Sequence, residues 1–432
     1  MKVYGKIGRL SLGALLTAFS LSGCGGGKDG GGGSGGETAA APVTLTFFDK
    51  ANMTEPFFKS NVADPVRAKY PHITITYIKN EKGTTLEELL AAGTVPDIIY
   101  SGFGDMQHFQ KLDLPADLTP LMKKHGFDPG KLDASAIETV KAYSDKGELL
   151  ALPGSFNGAA LYYNKDLFDK FGVAYPKDGM TWEQTLELAK KLTRTDGGVQ
   201  YRGFHANYAY LLQYNQLSLP LVDPKTDKAL VGSDSWKRWF GTMKAFHEIE
   251  GNQVNEKTVD AERDLFLTDK TVAMRAGQFF FAAITPTGMN WDMVSLPTFP
   301  EAPGTGIQLN SPFFVIAKSS KHPDPAFQAL AVALSEEVQL SNTKGGRASI
   351  LNLPEIKKQF GAESVDLKGK NTQGVINQKI AKTRPISKYD SIANGVMTAR
   401  LKDVLTGKSD VNTALRQAEE EITKKIAEEK AK

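Results

Sequence analysis

Val95-Pro96-Asp97-Ile98-Ile99-Tyr100-Ser101-Gly102-Phe103-Gly104 reads as a short apolar strand running into a glycine-rich turn. Upstream, Val43-Thr44-Leu45-Thr46-Phe47-Phe48 is β-branched and aromatic and is bounded by Pro42 and Asp49, which marks another strand. Ile73-Thr74-Ile75-Thr76-Tyr77-Ile78 alternates apolar and polar residues and marks a third. Between these, residues 55–69 and 84–92 suit helices. The first should kink or break at Pro65, and the second should stop at Gly93. Strand, helix, strand, helix, strand predicts an α/β fold with a parallel sheet. Such sheets hold ligands beyond the carboxyl ends of their strands, which makes Phe48-Asp49-Lys50 and residues 101–104 candidate site positions.

Further along, Leu152-Pro153 leads to a strand at 160–164. Thr181 and Gln184 have the spacing of a capping box, so a helix should run to 193. A helix over 234–250 puts Trp236, Trp239, Phe240 and Met243 on one face. A strand at 313–317 precedes a helix over 324–341. Asp410 should cap a last helix with Val411, Leu415, Ala418, Ile422 and Ile426 on one face.

The N-terminus carries an address. Lys2, Lys6 and Arg9 precede a short apolar run that ends at Leu21-Ser22-Gly23-Cys24. The run is too short for a comfortable membrane span and has the order of a secretory signal, 1–23. With cysteine at the cleavage point it resembles a bacterial lipoprotein lipobox. The resemblance implies a lipidated Cys24 and a protein held on the extracytoplasmic face of the cell membrane. Nine of the twelve residues 25–36 are glycine, so 24–42 is expected to act as a flexible spacer. Within it, residues 32–36 match G-x-S-x-G, but the strand and helix that a nucleophile elbow requires are absent from the sequence. Cys24 is the only cysteine, so the globule holds together without disulfides. Lys+Arg total 52 against 49 Asp+Glu, and three of the cations lie before Cys24. The remaining chain is formally neutral, which argues against a nucleic-acid partner.

Several segments together resemble family 1 of the extracellular solute-binding proteins, the maltose-binding type of ABC importer receptor. They are Ala91-Ala92-Gly93-Thr94-Val95-Pro96-Asp97-Ile98-Ile99; Ala151-Leu152-Pro153 through Leu161-Tyr162-Tyr163-Asn164-Lys165-Asp166-Leu167-Phe168 to Thr181-Trp182-Glu183; Phe266–Met274 with Gly277-Gln278-Phe279-Phe280; Phe313–Ser320; and Val404–Lys408 with Ala414-Leu415. They occur in the family's order over residues 43–425. The resemblance implies two α/β lobes that close on ligand about a hinge, with lobe one at 43–152 plus 311–355 and lobe two at 153–310 plus 356–432. It implies a monomeric receptor that hands a carbohydrate to an ABC permease, with no cofactor and no catalysis.

A sugar offers hydroxyls at its edge and C–H patches on its faces, so its site needs planar polar groups and aromatic rings. The resemblance points to Phe48 and Asp49 after the first strand, where Asp49 suits either ligand contact or a helix cap. It also points to Phe103, Asn157, Asn207, Tyr208, Phe279, Phe280 and Tyr389. A tryptophan and an Asp-Arg pair of the maltose-binding pattern are replaced here by Ser101 and Gly104-Asp105, which departs from maltodextrin specificity. Arg347 suits a carboxylate, as in a uronate, or a surface ion pair. The six histidines show no metal-ligand spacing, and no phosphate-loop or dinucleotide fingerprint occurs. Two alternatives remain open: a receptor of this fold for a non-sugar solute, and a secreted glycoside-active enzyme.

Overall fold

Two five-stranded sheets organise the chain. The computed structural model describes residues 41–144 and 146–432, so Cys24 and the glycine spacer lie outside the described residues. The first sheet contains β1 (Val43–Asp49), β2 (Ile73–Lys79), β3 (Ile98–Gly102) and β4 (Leu152–Pro153). The second contains β5 (Ala159–Asn164), β6 (Arg194–Asp196), β7 (Val199–Ala206), β8 (Val272–Gln278) and β9 (Trp291–Ser295). The short strand β10 (Thr305–Gln308) precedes β11 (Pro312–Ile316), which returns to the first sheet, and β12 (Lys379–Ala381) pairs with β10.

The first sheet has the order β2-β1-β3-β11-β4. β1 runs parallel to both β2 and β3, as the strand–helix alternation requires, while β11 is antiparallel to β3. The second sheet has the order β6-β7-β8-β5-β9. Each sheet carries its own core. Leu45, Phe47, Ile98, Val315 and Phe327 belong to the first, and Leu161, Phe204, Trp182, Trp239 and Met274 to the second. Along β5, Ala159, Leu161 and Tyr163 face that second core, while Ala160 and Tyr162 face another built on Phe266, Trp291 and Met293. The two-residue alternation of a strand thus buries β5 on both faces, which explains its unbroken apolar sequence.

Local signals set most element ends. The Thr181–Gln184 capping box opens the helix Trp182–Leu192, and Asp410 caps Val411–Lys430. The 324–341 segment is two helices, Pro323–Ala333 and Glu336–Lys344, because Ser335 starts a new cap. The helical run continues past Pro65. A π-helical turn, Lys59–Ala63, sits just before it, so the chain continues helically to Lys69. The wider turn absorbs the missing proline N–H and its ring.

Candidate functional site

The chain passes from the first sheet to the second between Pro153 and Ala159 and returns between Gln308 and Pro312. These two crossings are bonded side by side. Asn157 N–H donates to the Asn310 carbonyl at 2.7 Å and Gly154 N–H to that of Pro312 at 2.8 Å. Tyr210, from the second lobe, ties them further. Its hydroxyl donates to the Asn157 carbonyl and accepts from Asn310 Nδ2, both at 3.1 Å.

A cavity of about 600 Å³ opens beside this joint and is lined by both lobes. One wall comes from the turn after β1. The Asp49 carboxylate accepts from Ala51 N–H at 2.9 Å and Met53 N–H at 2.6 Å, and the Tyr77 hydroxyl lies 2.7 Å from it. Burial pushes the Asp49 carboxyl above its usual range, against the opposing pull of these donors. The turn they hold includes Asn52 at φ 58° and delivers Ala51 and Phe57 to the cavity. The π-helical turn adds Ser60 and Asn61.

The opposite wall is Phe156, Asn157, Phe279 and Phe281. Gly158 makes it possible, since a Cβ there would meet Phe279 Cζ at 2.5 Å. Asn342 and Gly345-Gly346-Arg347 close the remaining side. The Arg347 guanidinium lies over the Phe57 ring, 4.1 Å from its centroid. Burial pushes the neighbouring Tyr100 phenol up to about 12, with the Arg347 charge pulling the other way. The cavity therefore combines aromatic faces, amides and one guanidinium, with the Asp366 carboxylate at its edge. A larger open concavity, about 940 Å³, runs along β2 and the helix of residues 55–67. It is bounded by the first lobe alone and lined by alternating charges such as Glu55, Lys59, Asp64, Arg67, Lys79 and Glu81. The shared cavity is the better candidate, because only there do both lobes meet one occupant.

The lobes meet again where Phe103 stacks on Tyr143, with ring centroids 5.6 Å apart and planes 8° apart. Facing them are Gln213, Tyr214, Arg384 and Asp390 of the second lobe, around voids of about 50 and 100 Å³. Gln107 donates to the Ser387 carbonyl and Thr139 bonds Thr383 across this contact.

Of the residues expected from sequence, Asn157, Phe279 and Arg347 line the 600 Å³ cavity, and Phe103 lines the voids next to Tyr143. The others require correction of place. Phe48 lies wholly inside the first core: Leu45 and Phe47 fill one face of β1, and at the end of the strand the opposite face is covered too, which buries Phe48. Asp49 does not cap the following helix, whose cap is Thr54; its carboxylate instead holds the turn before it through Ala51 and Met53 N–H. Asn207 caps the helix Tyr208–Gln213 through Tyr210 N–H at 3.1 Å and bonds Gln278. Tyr208 is buried against His247. Phe280 packs on Tyr162 and under the Arg275 guanidinium, 3.9 Å away. Tyr389 lies in the second core just before the helix Asp390–Leu405. Phe57, Asn61, Phe281, Asn342 and the Arg384–Asp390 pair escaped the sequence reading. Phe57 lies in the predicted 55–69 helix, whose periodicity marks apolar positions without saying which of them faces a cleft.

Similarity to known proteins agrees with this architecture. The profile of the bacterial extracellular solute-binding proteins matches residues 50–340. The multiple sugar-binding protein of Streptococcus mutans is 25% identical over 197 residues, covering 44% of this chain and 42% of that one. The sn-glycerol-3-phosphate-binding periplasmic protein of Agrobacterium fabrum is 26% identical over 172 residues, covering 37% and 39%. The matches thus span about two-fifths of the length of these relatives. Among solved structures, an ABC substrate-binding protein of Listeria monocytogenes in complex with cycloalternan superposes with a TM-score of 0.70 at 19% identity, covering 89% of this chain and 99% of that one. A sugar transporter of Rhizobium etli in an open conformation gives 0.72 at 18%, covering 88% and 99%. At these identities the superpositions establish the two-lobed fold.

Proposed function

This chain belongs to the bacterial extracellular solute-binding proteins, a family of binding proteins and not enzymes, and we propose that it captures a carbohydrate between its two lobes for an ABC permease. The observation that carries the reading is the composition of the shared cavity. Phe156, Phe279 and Phe281 offer aromatic surface, Asn157 and Asn342 offer amide donors and acceptors, and Asn61, whose Nδ2 donates to the Phe57 carbonyl and Ser60 Oγ, offers its carbonyl oxygen. That is what C–H faces and hydroxyl edges require. A volume of about 600 Å³ suits a small oligosaccharide better than a single ion. Closure about residues 153–159 and 308–312 would bring both walls onto the sugar, and docking on the permease would reopen them. We place the lipid on Cys24, with the glycine spacer giving the globule reach, and take the receptor to work as a monomer.

Ligand binding raises apparent stability by RT ln(1 + [L]/Kd), so a thermal-shift screen tests the reading directly. Mono- and oligosaccharides, including uronates, should raise the melting temperature. The proposal fails if no sugar does so while another solute class does. Incorporation of labelled palmitate into the wild-type chain but not into Cys24→Ala tests the anchor.

One observation favours a second reading within the same site. Arg347 makes no ion pair with a carboxylate among the described residues and faces the cavity. An anionic polyol, such as the glycerol phosphate for which one relative is named, or a uronate, would meet it there. Inclusion of sn-glycerol-3-phosphate in the screen separates the two.

A further inference from the structure

Strand β8 carries a buried cation that lies outside the cavity lining. Arg275 is 1% exposed and sits directly opposite Tyr162 on β5, whose ring belongs to the core of Phe266, Trp291 and Met293. Its Nη2 donates to Glu262 Oε1 at 3.0 Å, while Nε and Nη1 are buried without a hydrogen-bond partner. Taking such a charge out of water is costly, and apolar side chains of similar volume often replace a buried ion pair without loss of stability. What a guanidinium supplies that they do not is attraction to a ring face. That face is Phe280, whose ring centroid lies 3.9 Å from the guanidinium carbon. The Tyr162 ring stands perpendicular to Phe280 with centroids 4.6 Å apart, and its hydroxyl accepts from Phe280 N–H at 3.2 Å. Phe280 is thus held by two groups, and it is the residue between Phe279 and Phe281, which both line the shared cavity.

We propose that Arg275 is a positioning residue for ligand binding: its guanidinium pins the Phe280 ring and so aims Phe279 and Phe281 into the cavity wall. The inference rests on the carbohydrate reading of that cavity and deepens it. β8 ends at Gln278, so strand alternation no longer directs these side chains. Phe279 N–H donates to the Gly158 carbonyl at 3.0 Å, which anchors the backbone and leaves the ring free to choose. Apolar burial is non-directional, so it does not decide which of three adjacent phenylalanines turns inward. A cation beside one of them does. With Phe280 held, Phe279 lies against Phe156 and Phe360, at centroid distances of 6.5 and 5.7 Å, and Phe281 lies 6.3 Å from Phe360. The rings are then preformed, and a sugar that packs on them does not have to order them on arrival.

The test titrates glucose, maltotriose, mannotriose and raffinose into the purified chain by calorimetry. The sugar that binds the wild type is then titrated into the double variant Arg275→Met with Glu262→Gln, which removes the cation without leaving a buried carboxylate unpaired. Binding should weaken at least about fivefold while the ligand-free melting curve is retained. Phe280→Leu changes a residue outside the cavity lining and should weaken binding by a similar factor. Adding it to the double variant should cost little more, because both changes remove the same contact. In the ligand-free double variant, NMR cross-peaks between the Phe279 and Phe360 rings should also weaken. If that variant does not fold, Arg275→Gln with Glu262→Gln, which keeps a neutral hydrogen bond between the two, carries the same cycle. Unchanged affinity, independent losses, or affinity that falls only in step with the melting temperature overturns the positioning role and spares the carbohydrate reading. If none of the four sugars binds the wild type, the positioning role falls together with that reading.

Discussion

Lowering the pH from about 8 to about 5 should selectively loosen the second lobe, for a reason visible in two buried imidazoles. Backbone groups fix their tautomers, since a carbonyl only accepts and an N–H only donates. His205 Nδ1 accepts from Ala206 N–H at 2.8 Å, so its Nε2 carries the proton donated to the Thr258 carbonyl at 2.9 Å. His247 Nδ1 donates to the Asn252 carbonyl at 2.9 Å, leaving Nε2 to accept from the Tyr208 hydroxyl. Every ring nitrogen is satisfied in the neutral form, and a second proton on His205 would point at an N–H. Burial pushes His205 down to about 3, helped by the His247 charge, and His247 down to about 4. An unfolded imidazole titrates near ~6.5.

Below that value the unfolded chain therefore binds protons that the folded chain refuses. The stabilising difference is complete above about pH 6.5 and is lost progressively as pH falls toward the folded values. Each unit of pH withholds about 1.4 kcal/mol per ring, so at about pH 5 each ring contributes a loss of about 2 kcal/mol and the pair about 4. Asp49 and Asp390, raised by burial, work in the opposite direction, adding stability as pH falls through their raised values. Urea unfolding followed by tryptophan fluorescence reads this directly, because Trp182, Trp236, Trp239 and Trp291 all lie in the cores of the second lobe. A loss under about 1 kcal/mol between pH 7 and 5, or imidazole NMR titrations with midpoints near 6, would refute the buried neutral pair.

Gly203→Ala places a Cβ 2.1 Å from the Ala189 carbonyl oxygen on the helix Trp182–Leu192, so it should cost about 2–4 kcal/mol in urea unfolding. Gly158→Ala should turn Phe279 out of the cavity wall and weaken the bound sugar, by calorimetry, more than it lowers the melting temperature. Tyr210→Phe removes the tie between the two crossings. It should cost about 1–2 kcal/mol and speed amide exchange at residues 154–158 and 309–312, and unchanged exchange would remove Tyr210 from the hinge. Arg347→Met should leave a neutral sugar's affinity within about threefold but abolish any preference for a uronate or polyol phosphate.

The sequence by itself determined what depends on neighbours along the chain. The β-branched runs ending at Phe48 and Tyr100, the Thr181–Gln184 box and the Asp410 cap all formed, because strand periodicity and capping act within a few residues. The ordered motifs from 43 to 425 gave the family. What surrounds a side chain was decided by tertiary structure. Phe279, Phe280 and Phe281 are adjacent and chemically alike, yet two face the cavity and the middle one packs beneath Arg275. They follow the end of β8 at Gln278, where the strand's alternation stops, so no local rule assigns their directions. Asp49 suited either a ligand contact or a helix cap in the sequence, and it holds the turn that presents Ala51 and Phe57, since Tyr77 arrives from a different strand to complete its shell. Residues 103, 143, 213, 384 and 394 border two adjoining voids only because the chain crosses between lobes and returns. Burial and pairing at that distance are properties of the folded whole, and no window of sequence contains them.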